Sequence, residues 1–137
     1  MAFIWTPDLA VGVKEIDDQH KALFKAVDDL LEAMQRREGG KELERIVKFL
    51  GDYTKQHFSM EENLMTRSHY PDIVNHKAQH QGFIKAFTSI AVRLNTEGPS
   101  LTLVMEAQKT VCDWLRGHVS VTDRKLGGFL QEHDKAA

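Results

Sequence analysis

Four stretches of this chain repeat apolar residues at the period of an α-helix, and each carries a histidine in its apolar stripe. That combination constrains the fold more than any other feature. The first stretch, 17–37, runs through Leu23, Phe24, Val27, Leu30, Leu31 and Met34, and Gly39-Gly40 is expected to stop it. The second, 41–66, has Leu43, Ile46, Val47, Leu50, Leu64 and Met65 in register, and tolerates Gly51 at a cost of about 1 kcal/mol relative to alanine. His69-Tyr70-Pro71 is a break, because proline pushes the preceding residue out of helical geometry. The third, 72–94, presents Ile73, Phe83, Ile84, Phe87, Ile90 and Leu94, and Asn95 to Ser100 reads as a loop. The fourth, 101–126, presents Leu101, Val104, Met105, Val111, Cys112 and Leu115, with Gly127-Gly128 expected to close it. Helices of similar length with short connections predict an all-α, antiparallel up-down-up-down four-helix bundle. The first 16 residues lack the pattern, and Ile4, Trp5, Val11 and Val13 suggest an arm packed along the bundle. One domain over 1–137 is expected.

Composition sets the limits. At 137 residues one core is sufficient without staples. Lys+Arg 18 against Asp+Glu 20 leaves a formal charge of -2, so bulk electrostatics recruits neither nucleic acid nor an acidic membrane. The lone Cys112 forms no internal disulfide, and its place on the core side favours inert packing. The start MAFIWTPDLA lacks the regions of a signal peptide, and no apolar run is long enough for a membrane span. A cytoplasmic protein is the expectation, and a monomer, since the stripes are consumed internally. The Met-Ala start leads to the further expectation of a complete small protein.

Seven histidines stand out, and five continue the stripes. His20 precedes Leu23 by three residues; His57 and Glu61 continue Leu50 towards Leu64; His76 and His80 join Ile73 to Phe83; His118 follows Leu115. His57–Glu61 and His76–His80 are i, i+4 pairs, each projecting from one helix face. One such pair arises by chance, but two on consecutive helices, flanked by in-register histidines, do not. In an antiparallel bundle all five imidazoles lie at the same level. A single buried histidine is more often a core residue bonded to a carbonyl than a ligand. Five with a carboxylate, at about 1–3 kcal/mol for each unpaired polar group, would threaten the whole stability of a domain. A metal satisfies them together. A two-metal site needs one more carboxylate, for which Asp123 and Glu62 are the candidates. Glu62 lies about 100° around the helix from Glu61 and reads as solvated. Asp123 misses the His118 direction by about 140° on an ideal helix, and a local widening of that helix would bring it inward. By spacing alone Asp123 stays open. His69 in the break and His133 in the polar tail read as solvent-facing.

Imidazole with carboxylate suits zinc, iron, copper or nickel, and six or seven ligands are too many for one tetrahedral zinc. The Glu-x-x-His motif of the ferritin-type di-iron proteins is absent. The residues do resemble another family. Trp5, VGVKEIDDQHKALF around His20, HFSMEENLM from His57, Tyr70 before HKAQHQGF, and WLRGHVSVTD from Trp114 are similar to the hemerythrins, the single-domain bacteriohemerythrins in particular. The ligand order H, H-x3-E, H-x3-H, H-x4-D is complete, and the resemblance places Asp123 in it. It implies two iron ions, cycling between Fe2+ and Fe3+, joined by an oxo or hydroxo bridge. His76, His80 and His118 would hold one; His20 and His57 would hold the other; Glu61 and Asp123 would bridge them. It implies O2 as the ligand at the two-histidine iron. Leu23, Phe58, Phe83, Trp114, Leu115 and Val119 adjoin the ligand positions and would wall the O2 pocket, with Leu115 as its gate; ordinary core packing accounts for them equally.

The expected function is reversible O2 binding for storage, delivery or sensing, with no catalytic residue. Two alternatives stand beside it: a di-iron enzyme acting on peroxide or nitric oxide or oxidising iron, and an O2 or redox sensor module of a larger signalling protein. The histidine-rich set and the lack of an obvious general acid or base favour binding.

Overall fold

The computed structural model describes residues 3–36, 40–98 and 100–136. Helix α1 spans Lys14–Gln35, α2 Gly40–Ser68 and α3 Ile73–Glu97. A fourth run, α4 (101–136), is α-helical over Leu101–Ala107, Trp114–Gly117 and Arg124–Ala136, with π-helical turns at Gln108–Asp113 and His118–Asp123 between. Helix α1 packs on α2 and α4, α2 on α3, and α3 on α4, which closes an antiparallel up-down-up-down four-helix bundle. No described helix is long and apolar enough to cross a membrane.

The helix ends follow from local chemistry. After α2, His69 adopts φ 57° and the Tyr70 N–H donates to Met65 O at 2.9 Å, a left-handed C-terminal cap. Helix α3 ends differently: the Gly98 N–H donates to Leu94 O at 3.0 Å, and its φ of 75° then turns the chain away. Helix α3 therefore continues to Glu97, three residues beyond the expected Leu94. The Ser100 hydroxyl accepts from the Leu103 N–H at 3.1 Å and starts α4. Arg37, Gly39 and Pro99, and the Leu43 side chain, lie outside the described residues.

Two expectations for α4 need correction. Gly127-Gly128 does not close the helix, which runs through both to Ala136. A Cβ on Gly127 would lie 2.2 Å from Val11 O, so this glycine admits the arm's backbone rather than ending the helix. Leu101 and Met105 face solvent, at 72% and 61% exposure, while Leu103, Val104 and Ala107 are buried. The π turn at Gln108–Asp113 inserts an extra residue, which rotates the upstream face by about one residue, or 100°.

The arm packs as a strap. Phe3 stacks on Phe24 at 4.3 Å, and its N–H donates to Asp28 Oδ1 at 2.8 Å. A short 3-10 turn, Pro7–Leu9, buries Leu9. Val11 is buried and its N–H donates to Asp17 Oδ1, while Gln131 Nε2 donates to Gly12 O at 2.8 Å. Ile4, expected against the bundle, is exposed.

The core has two apolar parts. The larger fills the bundle from Phe3, Phe24, Leu30 and Met34 through Leu50, Phe87 and Ile90 to Phe58, Phe83, Leu115 and Val119. The smaller gathers Val11, Ile16, Met65, Tyr70, Leu126 and Leu130. Along each helix part of a polar layer falls between the two: His20 between Ile16 and Leu23, Glu61 between Phe58 and Met65, His76 and His80 between Ile73 and Phe83, and Asp123 between Val119 and Leu126.

Candidate metal centre

Each helix delivers its share of the polar layer by its own periodicity. The i, i+4 spacing puts His57 and Glu61 on one face of α2, and His76 and His80 on one face of α3. Helix α4 does it differently. His118 and Asp123 are the first and last residues of a π-helical turn, whose i→i+5 pitch brings a five-residue spacing onto one face. His20, His57, Glu61, His76, His80, His118 and Asp123 are all buried, and all but His57 and His118 are fully so. His69 and His133 are exposed, as the sequence pattern suggested.

The oxygens sort the histidines into two groups. Glu61 Oε1 lies 3.3 Å from His76 Nε2 and 3.0 Å from His80 Nε2, and Asp123 Oδ1 lies 3.1 Å from both His76 Nε2 and His118 Nε2. Glu61 Oε2 faces His57 Nε2 at 3.3 Å and His20 Nε2 at 3.7 Å, and Asp123 Oδ2 faces His20 Nε2 at 2.9 Å. Each carboxylate thus turns one oxygen to the group His76, His80, His118 and the other to the group His20, His57. Within each group the ligand atoms lie within 4.8 Å of one another.

Charge and hydrogen bonding both mark this layer as incomplete by itself. Buried atoms without a hydrogen-bond partner include both nitrogens of His20, His76 Nδ1, His118 Nε2, Glu61 Oε2 and both Asp123 oxygens. Burial disfavours the His20 and His76 cations, yet the close approach of the Asp123 and Glu61 carboxylates outweighs it and raises both to about 9. Burial prevails at His118 and lowers it. Burial also opposes the Glu61 carboxylate, but the pull of His57 and the imidazoles of His20 and His76 facing it hold it well below the usual range. At Asp123 burial and the Glu61 charge push upward, and His118 and His20 overcome them, leaving it far below the usual range. These donors fit metal ions. Two bonds of about 2.1 Å at a right angle set their ends roughly 3 Å apart, which matches the N···O spacings here. Imidazole nitrogens around bridging carboxylates suit a pair of first-row divalent ions.

Three further residues hold the histidines from behind. Gln19 Oε1 lies 2.6 Å from His57 Nδ1, Glu62 Oε2 2.9 Å from His80 Nδ1, and Gln79 Oε1 2.8 Å from His118 Nδ1. The Thr122 hydroxyl also donates to Gln79 Oε1 at 2.9 Å. Each contact fixes the tautomer in which Nδ1 donates and Nε2 is free to ligate. The expectation of a solvated Glu62 is therefore wrong: it leaves the axis of its own bundle layer but reaches sideways to the next helix. All three residues sit directly beside a member of the cluster in sequence, the one signal that could have found them.

Of the six expected wall residues, Phe58 and Trp114 stack on histidines of the layer and the other four belong to the apolar cluster around them. Phe58 stacks on His80 at 3.8 Å, Trp114 stacks on His118 at 4.5 Å, and Phe83 packs against both Phe58 and Trp114. Leu23, Leu115 and Val119 are buried in the same apolar cluster, and Trp114 is half-buried. Cys112 is buried too, and burial pushes its thiol up to about 11, which accords with inert packing.

A family model described as the hemerythrin HHE cation binding domain matches residues 11–130. A bacteriohemerythrin of Stenotrophomonas maltophilia is 30% identical over 133 residues, covering 95% of this chain and 82% of the relative. A myohemerythrin of Theromyzon tessulatum is 29% identical and covers 92% of each. A crystal structure of wild-type hemerythrin superposes with a TM-score of 0.76 at 27% identity, covering 92% of this chain and 95% of that one.

Proposed function

The chain belongs to the hemerythrin family, and from that premise we propose that it binds O2 reversibly at a non-haem di-iron centre, for storage, delivery or sensing. The sorting of the carboxylate oxygens carries this reading: Glu61 and Asp123 each offer one oxygen to either histidine group, the arrangement of bridging ligands. His76, His80 and His118 would hold one iron, and His20 and His57 the other. A ferrous pair, when bound, supplies the electrons and the open coordination position that side chains lack.

The rest is the work of this chain's residues. Gln19, Glu62 and Gln79 keep Nδ1 protonated on three histidines, so Nε2 presents its lone pair to the axis. One group contributes five donor residues, the other four, so a metal held by His20 and His57 would be the one left with room for a small ligand. Leu23, Phe58, Phe83, Trp114, Leu115 and Val119 form the apolar cap that keeps bulk water from the layer, and Leu115, one turn before His118, would be its gate. An uncharged gas crosses such a wall more easily than protons or anions do, which supports binding over turnover. The burial of the helix stripes inside one bundle supports a monomer.

The test is an absorption spectrum of the iron-loaded, reduced protein through alternating O2 and argon, with metal analysis. Charge-transfer bands that appear under O2 and vanish under argon are expected, at two irons per chain. Irreversible bleaching with product formation would instead indicate an enzyme. A chain that takes up no iron after anaerobic ferrous reconstitution would sink both.

A further inference from the structure

The two halves of the polar layer are supported unequally from behind. His57 and His118 lean on the neutral amide oxygens of Gln19 and Gln79. His80 leans on a carboxylate, Glu62 Oε2 at 2.9 Å. His20 Nδ1 and His76 Nδ1 have no hydrogen-bond partner among the described residues. Glu62 is thus the single acidic group placed behind a candidate ligand among the described contacts, and it stands on the three-histidine side.

We propose that Glu62, acting through His80, makes the His76–His80–His118 position the tighter of the two, so that it fills first and empties last. This rests on the di-metal reading above. An imidazole that donates its N–H to a carboxylate gains anionic character and becomes a stronger donor to a cation through its other nitrogen. An amide oxygen orients the ring equally well but lends no charge. Orientation at His80 is already secured, because Phe58 stacks on its ring at 3.8 Å and 8°. What Glu62 adds is charge. Its side chain keeps 27% of its exposure against 0% for His80, so water screens it partly and the effect falls at the lower end of the range for such groups.

The three-histidine group also has one donor residue more than the other, so some inequality exists without Glu62. The discriminating quantity is the change in the ratio of the two stepwise affinities. The full chain, stripped with a chelator and checked for helix content, is titrated anaerobically with cobalt(II) against a chromophoric chelator. The parent should take two ions in two resolved steps. Glu62→Gln should weaken the tighter step about tenfold and leave the weaker one in place, so the steps draw together. Gln19→Glu should draw them together from the other side, by tightening the weaker step, and decides the matter if Glu62→Gln does not fold. Equal weakening of both steps in Glu62→Gln, or an unchanged ratio, would overturn the proposal and leave Glu62 a structural prop. A parent that binds fewer than two ions overturns the di-metal reading itself, which is a different failure.

Discussion

The larger apolar cluster and the histidine layer are buried alike, yet different physics holds each. Around Leu30 and Met34, both 1% exposed, packing satisfies every side chain, and nothing there depends on direction or charge. One step along the bundle, His20, Glu61 and Asp123 are at 0% exposure with several orphaned atoms among them. Unpaired buried polar groups cost about 1–3 kcal/mol each, so the histidine layer weakens the fold that the apolar cluster supports. The bundle can carry such a layer because apolar residues close it on both sides, Phe58, Phe83 and Val119 on one and Ile16, Met65 and Leu126 on the other.

The comparison breaks most visibly at Glu61. Both histidine groups share it, so Glu61→Ala should abolish binding of two metals per chain and with it any O2-dependent absorption. Helix content should persist, because the apolar cluster is untouched; metal analysis with circular dichroism checks both. Two metals retained in Glu61→Ala would show that its oxygens do not bridge. The reverse experiment is Leu30→Ala, which should cost about 2–5 kcal/mol in denaturant unfolding while metal stoichiometry stays at its parent value. Loss of metal in that variant would mean that the two layers are not separable.

The sequence makes one layer more legible than the other. The stripe of α1, Leu23 through Met34, is buried throughout, since a straight helix obeys its period. The pairs His57–Glu61 and His76–His80 were readable for the same reason. Asp123 was not, because no apolar pattern announces a π turn; family resemblance supplied what spacing left open. The second π turn hid the true inner face of α4 and misplaced Leu101 and Met105. Gln19, Glu62 and Gln79 escaped because a helical wheel asks what points at the axis, whereas these reach round to the next helix.

A smaller effect separates the layers by pH. With metals removed, protons on His20 and His76 offset the two carboxylates. Both imidazoles titrate near 9 in the folded chain against an ordinary 6.5, so their contribution is complete below about 6.5 and is lost as pH rises through 9. Glu61 and Asp123 are shifted the other way: what they contribute is present above the ordinary carboxylate range and disappears only as pH falls through their lowered values. The metal-free chain should therefore lose stability between pH 6.5 and 9, on the order of 3 kcal/mol because both cations lean on the same two carboxylates. Denaturant unfolding at pH 6.5, 7.5 and 9 measures it. The metal-loaded chain, whose imidazoles carry no such proton, should show no such fall. A flat profile without metal would mean that the layer is not proton-balanced.

The smallest effects concern two adjacent glycines that look alike in sequence. A Cβ on Gly127 meets Val11 O at 2.2 Å and Val11 Cβ at 2.9 Å, whereas one on Gly128 meets nothing within 4 Å. Overpacking typically costs about 1–3 kcal/mol, and alanine recovers about 1 kcal/mol of helix propensity, so Gly127→Ala should destabilise by up to roughly 2 kcal/mol. The strain falls on the arm, since the helix backbone has neighbours all round while Val11 is tied mainly through Asp17 and its own burial. Lifting Val11 would open the smaller cluster that seals the histidine layer, so faster cleavage of the arm by protease should accompany the loss. Gly128→Ala, on an exposed helical position, should instead stabilise by up to about 1 kcal/mol. Equal effects at the two positions would mean that the arm does not press on α4, and that the histidine layer is closed on that side by Ile16, Met65 and Leu126 alone.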